Sequence, residues 1–201
     1  MSVLFTSDEH FFHRNVVSLC QRPFTDMEEM HEELIRRHNS KVGERDTVYH
    51  LGDFVWSLAH LKSILERLNG RHILIKGNHD QCHSCHKKHE KMSQRYLDSG
   101  FFSLYEETFY TIGGRLCKLN HFPYWNEEAT EHYDLRYKDW RPVHGPESVL
   151  IRGHSHSKFH EKVKWHGNKL MIDVGVDGNN FFPYSLEELS QLIEDSFNAR
   201  V

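Results

Sequence analysis

The 201-residue chain carries 29 acidic and 25 basic side chains, a formal net charge of −4, with no run of like charge long enough to form a basic arm or an acidic tail. That length suits a single domain, 1–201, and the charge balance does not advertise generic nucleic-acid affinity, yet it does not exclude anionic substrates, because bound metals add positive charge that a residue count omits. An N-terminus reading MSVLFTSDEH lacks the pattern of an export signal, no apolar stretch reaches about 18 residues, and four cysteines without export context predict free thiols, so a cytoplasmic protein without membrane contact is expected.

Five short apolar, β-prone runs read as strands: Val3 to Thr6, Thr47 to Leu51, His72 to Lys76, Leu116 to Asn120 and Val149 to Arg152. Each leads directly into ligand-type residues. In chain order these are Asp8 and His10; Gly52 and Asp53; Gly77, Asn78, His79 and Asp80; His121; and Gly153, His154 and His156. Helices are predicted between the strands. The first runs from Asp26 to Asn39 behind a capping box of Thr25 and Glu28, with Met27, Met30, Leu34 and Ile35 on its apolar face. A second, from Ser57 to Leu68, stops near Gly70, and a last begins at Ser185 with Glu188 at capping-box spacing. This alternation predicts an α/β fold. The stretch from Phe101 to Met171, turned by Gly113-Gly114 and His166-Gly167-Asn168, predicts a second sheet, and Pro123 to Pro146 reads as a long loop.

Ligands gather where α/β sheets deliver the carboxyl ends of their strands, so five such endings predict one shared site. Asp8 with His10, and His154 with His156, are two apart on extended chain, where alternate side chains point the same way. Carboxylate, imidazole and amide ligands without thiolate suit Mn, Fe, Zn or Ni. Two ions about 3.5 to 4 Å apart need a bridging ligand, a role that suits Asp53. Two divalent ions against two carboxylates keep a surplus of positive charge, which favours a phosphate and a metal-bound hydroxide. The chemistry so predicted is hydrolytic.

In this order, DEH, GD, GNHD, a later single His and GHSH resemble the calcineurin-like metallophosphoesterase superfamily, and the motifs span nearly the whole chain. TSDEHFFHRNV, QRPF, VYHLGDF, LIKGNHD, HFPYW and the GVD near Gly175 resemble its small stand-alone members from bacteria and bacteriophages. The resemblance implies two packed mixed β-sheets flanked by helices, a four-layer α/β/β/α sandwich. It implies one divalent ion held by Asp8, His10, Asp53 and His156, and a second held by Asp53, Asn78, His121 and His154, with Mn the first candidate. It further implies in-line attack on phosphorus by a metal-bridging hydroxide, His79 protonating the leaving oxygen, and Asp53 and Asn78 joining His79 in the catalytic set. The substrate would be a phosphomonoester or phosphodiester: a phosphorylated small molecule, a nucleotide or a nucleic-acid end. A non-catalytic metal-binding module of the same fold and a protein phosphatase are the alternatives. One departure concerns His79. Some members carry an Asp just beyond the GD motif to orient the catalytic His, whereas GDFVWS offers Val55, Trp56 and Ser57, which leaves Asp80 as a candidate orienter.

Other features carry two readings each. His13, Arg14 and Asn15 are either phosphate contacts or a solvated helix start, and His50 is either a support for the neighbouring ligands or a satisfied core histidine. Cys82 to His89 matches the C-x-x-C-H haem-attachment spacing and contains zinc-type donors, but as a His- and Lys-rich segment beside GNHD it is expected to be plain. Tyr124, Trp125, Tyr133, Arg136, Tyr137, Trp140 and Arg141 mix aromatic rings with cations, which suits base stacking and phosphate contact.

Overall fold

The computed structural model describes residues 1–125, 137–158 and 161–200. Among these, ten strands build two five-stranded sheets. In the first, β1 (Val3–Thr6), β2 (Thr47–His50), β3 (Arg71–Ile75) and β4 (Ser103–Tyr105) run parallel, and β10 (Tyr184–Ser185) pairs antiparallel with β1 at the edge. The second has the order β5 (Glu107–Ile112), β6 (Arg115–Asn120), β7 (Val149–Arg152), β9 (Lys169–Asp173), β8 (Val163–His166), with β6, β7 and β9 parallel to their neighbours in that inner group. β5 and β6 form a hairpin across Gly113 and Gly114, whose φ values of 56° and 74° meet the left-handed requirement of a tight two-residue turn.

Period-two alternation sorts the strand residues into two cores. Phe5, Leu51 and Ile75 of the first sheet meet Cys117, Leu119, Val149, Ile151, Leu170 and Ile172 of the second, forming the layer between the sheets. On the other face of the first sheet, Leu74 packs with the helices. These are α1 (Val16–Leu19), α2 (Met27–Lys41), α3 (Leu61–Leu65) and α4 (His89–Ser99). α5 (Leu186–Asn198) adds Leu189 and Ile193 to the inter-sheet core. Two packed mixed sheets flanked by helices are the architecture the motif order implied.

The five predicted strands appear within one residue of their expected ends. Two helix predictions need correction. The N-cap of α2 is Asp26, whose carboxylate accepts the Glu29 N–H at 2.8 Å while the Glu29 carboxylate takes the Thr25 N–H and hydroxyl, so the cap falls one residue later than Thr25 and Glu28 and is not a reciprocal box. Both frames have the same spacing, and the ionised Asp26 brings full negative charge to the helix N-terminus where Thr25 brings none. The predicted Ser57 to Leu68 helix is a 3₁₀ turn, Leu58–His60, followed by the short α3. Its apolar positions are buried all the same, because three-residue and 3.6-residue repeats both return side chains at i and i+3 to one face. The final helix is capped by Ser185 and Glu188 as predicted.

β1, β2, β3, β6 and β7 are mutually oriented so that their following loops converge on one rim of the sandwich, the position at which α/β sheets bind ligands.

Candidate metal centre

The loops that leave these strands are stitched together by backbone. The Asp8 and His10 N–H groups donate to the Gly52 and Asp53 carbonyls, each at 3.0 Å. Asp80, fully buried, accepts the N–H groups of Asp53, Phe54 and Gly77 at 2.8, 3.1 and 2.8 Å, fastening the loop after β2 to the loop after β3. Its carboxylate is thus engaged by three amides, which does not support the orienting role for His79 considered from sequence. Asp8 accepts the His154 N–H at 3.0 Å and ties the loop after β1 to the loop after β7.

Close approach sets the residue types. A Cβ on Gly77 would lie 2.3 Å from Asp53 Oδ1, and one on Gly153 would lie 2.4 Å from Asp8 Oδ2, so side chains at either position would displace the carboxylates. Asp8, His10, Asp53, His154 and His156 have φ values of 59°, 54°, 56°, 73° and 48°, so the Asp8/His10 and His154/His156 pairs do not lie on extended chain as the sequence suggested but converge through left-handed turns past the strand ends. Left-handed backbone at non-glycine residues costs on the order of 1–3 kcal/mol each and survives only where the surroundings over-determine it. Five such residues in one cluster mark a functional site.

All seven candidate ligands converge. Asp53 Oδ2 lies 3.6 Å from His10 Nε2 and 3.5 Å from His121 Nε2, so one carboxylate oxygen faces both halves of the cluster. On one side, His156 Nε2 is 3.7 Å and His10 Nε2 4.0 Å from Asp8 Oδ1. On the other, Asn78 Oδ1 is 3.1 Å from His121 Nε2 and 2.9 Å from His154 Nδ1, and the two ring nitrogens are 3.3 Å apart. His79 stands at the rim, 38% exposed, with Nε2 3.9 Å from Asp53 Oδ2 and its backbone N–H donating to Asp53 Oδ1 at 2.8 Å.

Tautomers decide what this cluster needs. His121 Nδ1 donates to the Leu51 carbonyl at 2.7 Å, which leaves a lone pair on the inward Nε2 of the neutral ring. His156 Nδ1 likewise faces Asp177 Oδ2 at 2.9 Å and turns Nε2 toward Asp8. His10 Nε2 is buried without a hydrogen-bond partner. Inward lone pairs facing carboxylate and amide oxygens call for cations, and outward imidazole N–H groups held by carbonyl or carboxylate are the usual support of metal-binding histidines. The donor set therefore fits divalent metal.

Protonation follows the same logic. Burial pushes Asp8 up to about 6 and holds His10 and His154 well below the usual histidine range, leaving those rings neutral. Burial would also raise Asp53, but His121, by its charge and its hydrogen bond, outweighs it and keeps the carboxyl well below its ordinary value. His121 is lifted to about 9 by Asp53 against its own burial, a proton that a metal cation would replace.

Two supporting residues lie in motifs that the sequence singled out without assigning either a role. Asp177 lies in GVD and Arg22 in QRPF. The Arg22 guanidinium pairs with Asp177 through Nε and Nη2 at 3.0 and 2.9 Å and donates to the Asp8 and Glu9 carbonyls at 2.6 and 2.9 Å. Cys20 Sγ also lies 3.3 Å from His156 Nδ1. On the second sheet, buried Arg152 bonds the Gly153 carbonyl, Ser155 Oγ and Asp173, bracing the loop that bears His154 and His156.

The remaining candidates divide. His50 is buried on the helix side of the first sheet, bonded to Glu9 Oε1 and His72 Nδ1 at 2.6 and 3.0 Å. His86 Nε2 reaches the Asn78 carbonyl at 2.9 Å, and His83 pairs with Glu106; Cys82 and Cys85 are free thiols, with burial raising both, Cys85 to about 11. Tyr124 is buried against Leu150 and Met171 with its hydroxyl on Glu147, whereas Tyr137 lies 6.1 Å from the His154 ring and Trp125 sits beneath Lys138 and Arg141. Tyr133 and Arg136 lie outside the described residues.

Similar proteins share this plan. A profile of the calcineurin-like phosphoesterase superfamily domain matches residues 1–182. The uncharacterized protein MJ1445 of Methanocaldococcus jannaschii is 31% identical over 94% of this chain and 89% of its own. The gene 66 protein of Mycobacterium phage L5 is 30% identical over 86% of this chain and 85% of its own. Among solved structures, the protein of unknown function AQ665 from Aquifex aeolicus aligns with a TM-score of 0.65 at 25% identity, covering 95% of this chain and 98% of that one. The convergent Asp, Asn and His cluster and a family match across most of its length place this chain in the calcineurin-like phosphoesterase superfamily.

Proposed function

We propose that the chain hydrolyses phosphodiesters or phosphomonoesters, with nucleotides or nucleic-acid ends as the substrate class, using two divalent ions. Asp8, His10, Asp53 and His156 would hold one ion and Asp53, Asn78, His121 and His154 the other, with Mn the leading candidate for both. The observation that carries this reading is the single Asp53 Oδ2 set between inward-facing nitrogens of His10 and His121. When bound, such a pair of ions polarises a phosphoryl oxygen and lowers the pKa of water.

The chain's own residues supply position and the proton. Asp53 and Asp8 stay fixed because their oxygens also accept backbone amides, and Asp80 fixes the backbone that bears Asp53. His79, at the rim with its Nε2 3.9 Å from Asp53 Oδ2, would serve as the general acid that protonates the leaving oxygen. A positioned general acid contributes roughly 10²- to 10⁴-fold in rate.

Chelator-stripped protein should cleave bis(p-nitrophenyl) phosphate or p-nitrophenyl phosphate only after Mn²⁺ is restored, and His79→Ala should lose most of that rate while retaining its metal. Faster diester turnover would direct attention to cyclic nucleotides and nucleic-acid ends, faster monoester turnover to a phosphatase. Stoichiometric metal binding with neither ester cleaved would favour a non-catalytic metal-binding module instead.

A further inference from the structure

Trp56 is a large aromatic left 45% exposed beside the metal-type cluster. Its position is fixed by backbone: its N–H donates to the Phe11 carbonyl at 2.8 Å, and Val55 bridges Phe11 in parallel register, so the loop after β2 is laced to the loop after β1. One face of the indole is covered by His13, with ring centroids 4.0 Å apart and planes within 6°. His79 lies 5.0 Å from the indole centroid, and His10 lies 5.3 Å from His13, so the stacked pair adjoins both the proposed proton donor and a proposed metal ligand. A cleft of about 340 Å³ opens here, lined by Phe12, His13, Arg14, Asn15 and Trp56.

We propose that this cleft is a nucleobase subsite, in which the base of a nucleotide stacks against the Trp56 and His13 pair while its phosphate lies at the Asp53 cluster. The inference rests on the phosphoesterase reading for the place of the phosphate, and it names the group that sets specificity. Every base has a π-face, so an anchored indole takes any of them, whereas a sugar phosphate or an alkyl ester has nothing to stack. Arg14 and Asn15, both exposed at the cleft, add a planar cation and an amide able to meet base edges. The volume lies at the lower end of small-ligand sites, roughly 300–1,000 Å³, which suits one base rather than an oligonucleotide. The sequence directed attention to the aromatic stretch from Tyr124 to Arg141, but Tyr124 is committed to the core and Arg141 Nη1 bonds the Pro123 carbonyl.

The test is binding of adenosine monophosphate and ribose 5-phosphate to the Mn²⁺-loaded protein, by calorimetry and by quenching of tryptophan fluorescence. The nucleotide should bind about 5- to 150-fold more tightly than the sugar phosphate, the contribution of one stacked base, and should quench fluorescence where ribose 5-phosphate does not. Trp56→Leu should abolish both the difference and the quenching, and Trp56→Phe should restore most of the difference. Equal affinity of the wild type for the two ligands would overturn the proposal, as would a preference that survives in Trp56→Leu or disappears only in Trp125→Leu. Hydrolysis of the p-nitrophenyl esters is scored separately, so a catalyst without base preference and a base-binding protein without catalysis give different results.

Discussion

At the residue scale, His156 has two nitrogens with separate tasks: Nε2 turns toward Asp8, and Nδ1 is bonded to Asp177. Asp177 is in turn held by Arg22, whose guanidinium also gathers the Asp8 and Glu9 carbonyls, so one buried ion pair sets the tautomer of a ligand and the backbone of another. Asp177→Asn keeps the shape and removes the charge. It should weaken metal binding about 10- to 100-fold, the usual consequence of losing a hydrogen-bond partner behind a ligating histidine. Competition against a chromophoric chelator measures this, and an unchanged affinity would show that His156 needs no such support. The ligands themselves were legible because each stands just beyond a short apolar run. Arg22 and Asp177 were not assigned a role, since they are 155 residues apart and nothing local to either names its partner.

At the element scale, α2 meets the first sheet through histidines as well as through Met30, Leu34 and Ile35. His38 of α2 bonds the Asn69 carbonyl at 2.9 Å, and its ring centroid lies 6.1 Å from His50 and 5.7 Å from His72, two buried strand residues. Burial, reinforced by the neighbouring His50, lowers His38 to about 3. The folded state therefore refuses a proton that the unfolded chain accepts below 6.5. Stability from this group is complete above 6.5 and is lost as pH falls toward 3. Glu9, raised to about 7 by burial, acts in the opposite sense, since the folded state gains a proton there as pH falls. His38→Gln retains an amide donor for the Asn69 carbonyl and removes the titration, leaving Glu9 in place. Urea unfolding across this window should show a stability slope shallower than wild type by up to one proton; parallel slopes would mean that His38 is already charged in the folded protein. Periodicity exposed the apolar side of this helix but not its histidines, because a polar residue on a buried face is excused only by partners on other elements. α4 was missed for a related reason: eight of its eleven residues are polar or charged, and Tyr96 is its one buried residue.

At the scale of the whole molecule, the two sheets meet at the metal-type cluster. Asp8, His10, Asp53 and Asn78 follow strands of the first sheet, and His121, His154 and His156 follow strands of the second. Strand runs showed that two sheets were needed, but not their order. β9 rather than β8 pairs with β7, and neither pattern of apolar residues specifies that choice. The consequence of the arrangement is mechanical. A cation binding these seven residues bridges the sheets and requires both to be folded, so binding should couple to global unfolding. At a metal concentration near 100 times the dissociation constant, linkage amounts to about 2.7 kcal/mol. For a chain of this size that corresponds to a rise of roughly 5–10 °C in the unfolding midpoint. Chelated protein titrated with Mn²⁺ in a calorimeter should show that rise, saturating with occupancy, and equal ionic strength from NaCl should not reproduce it. Asp53→Asn removes the negative charge facing both halves of the cluster and should abolish most of the shift. A shift of full size in Asp53→Asn would place the bound ions away from the junction of the two sheets and separate metal stabilisation from the proposed site.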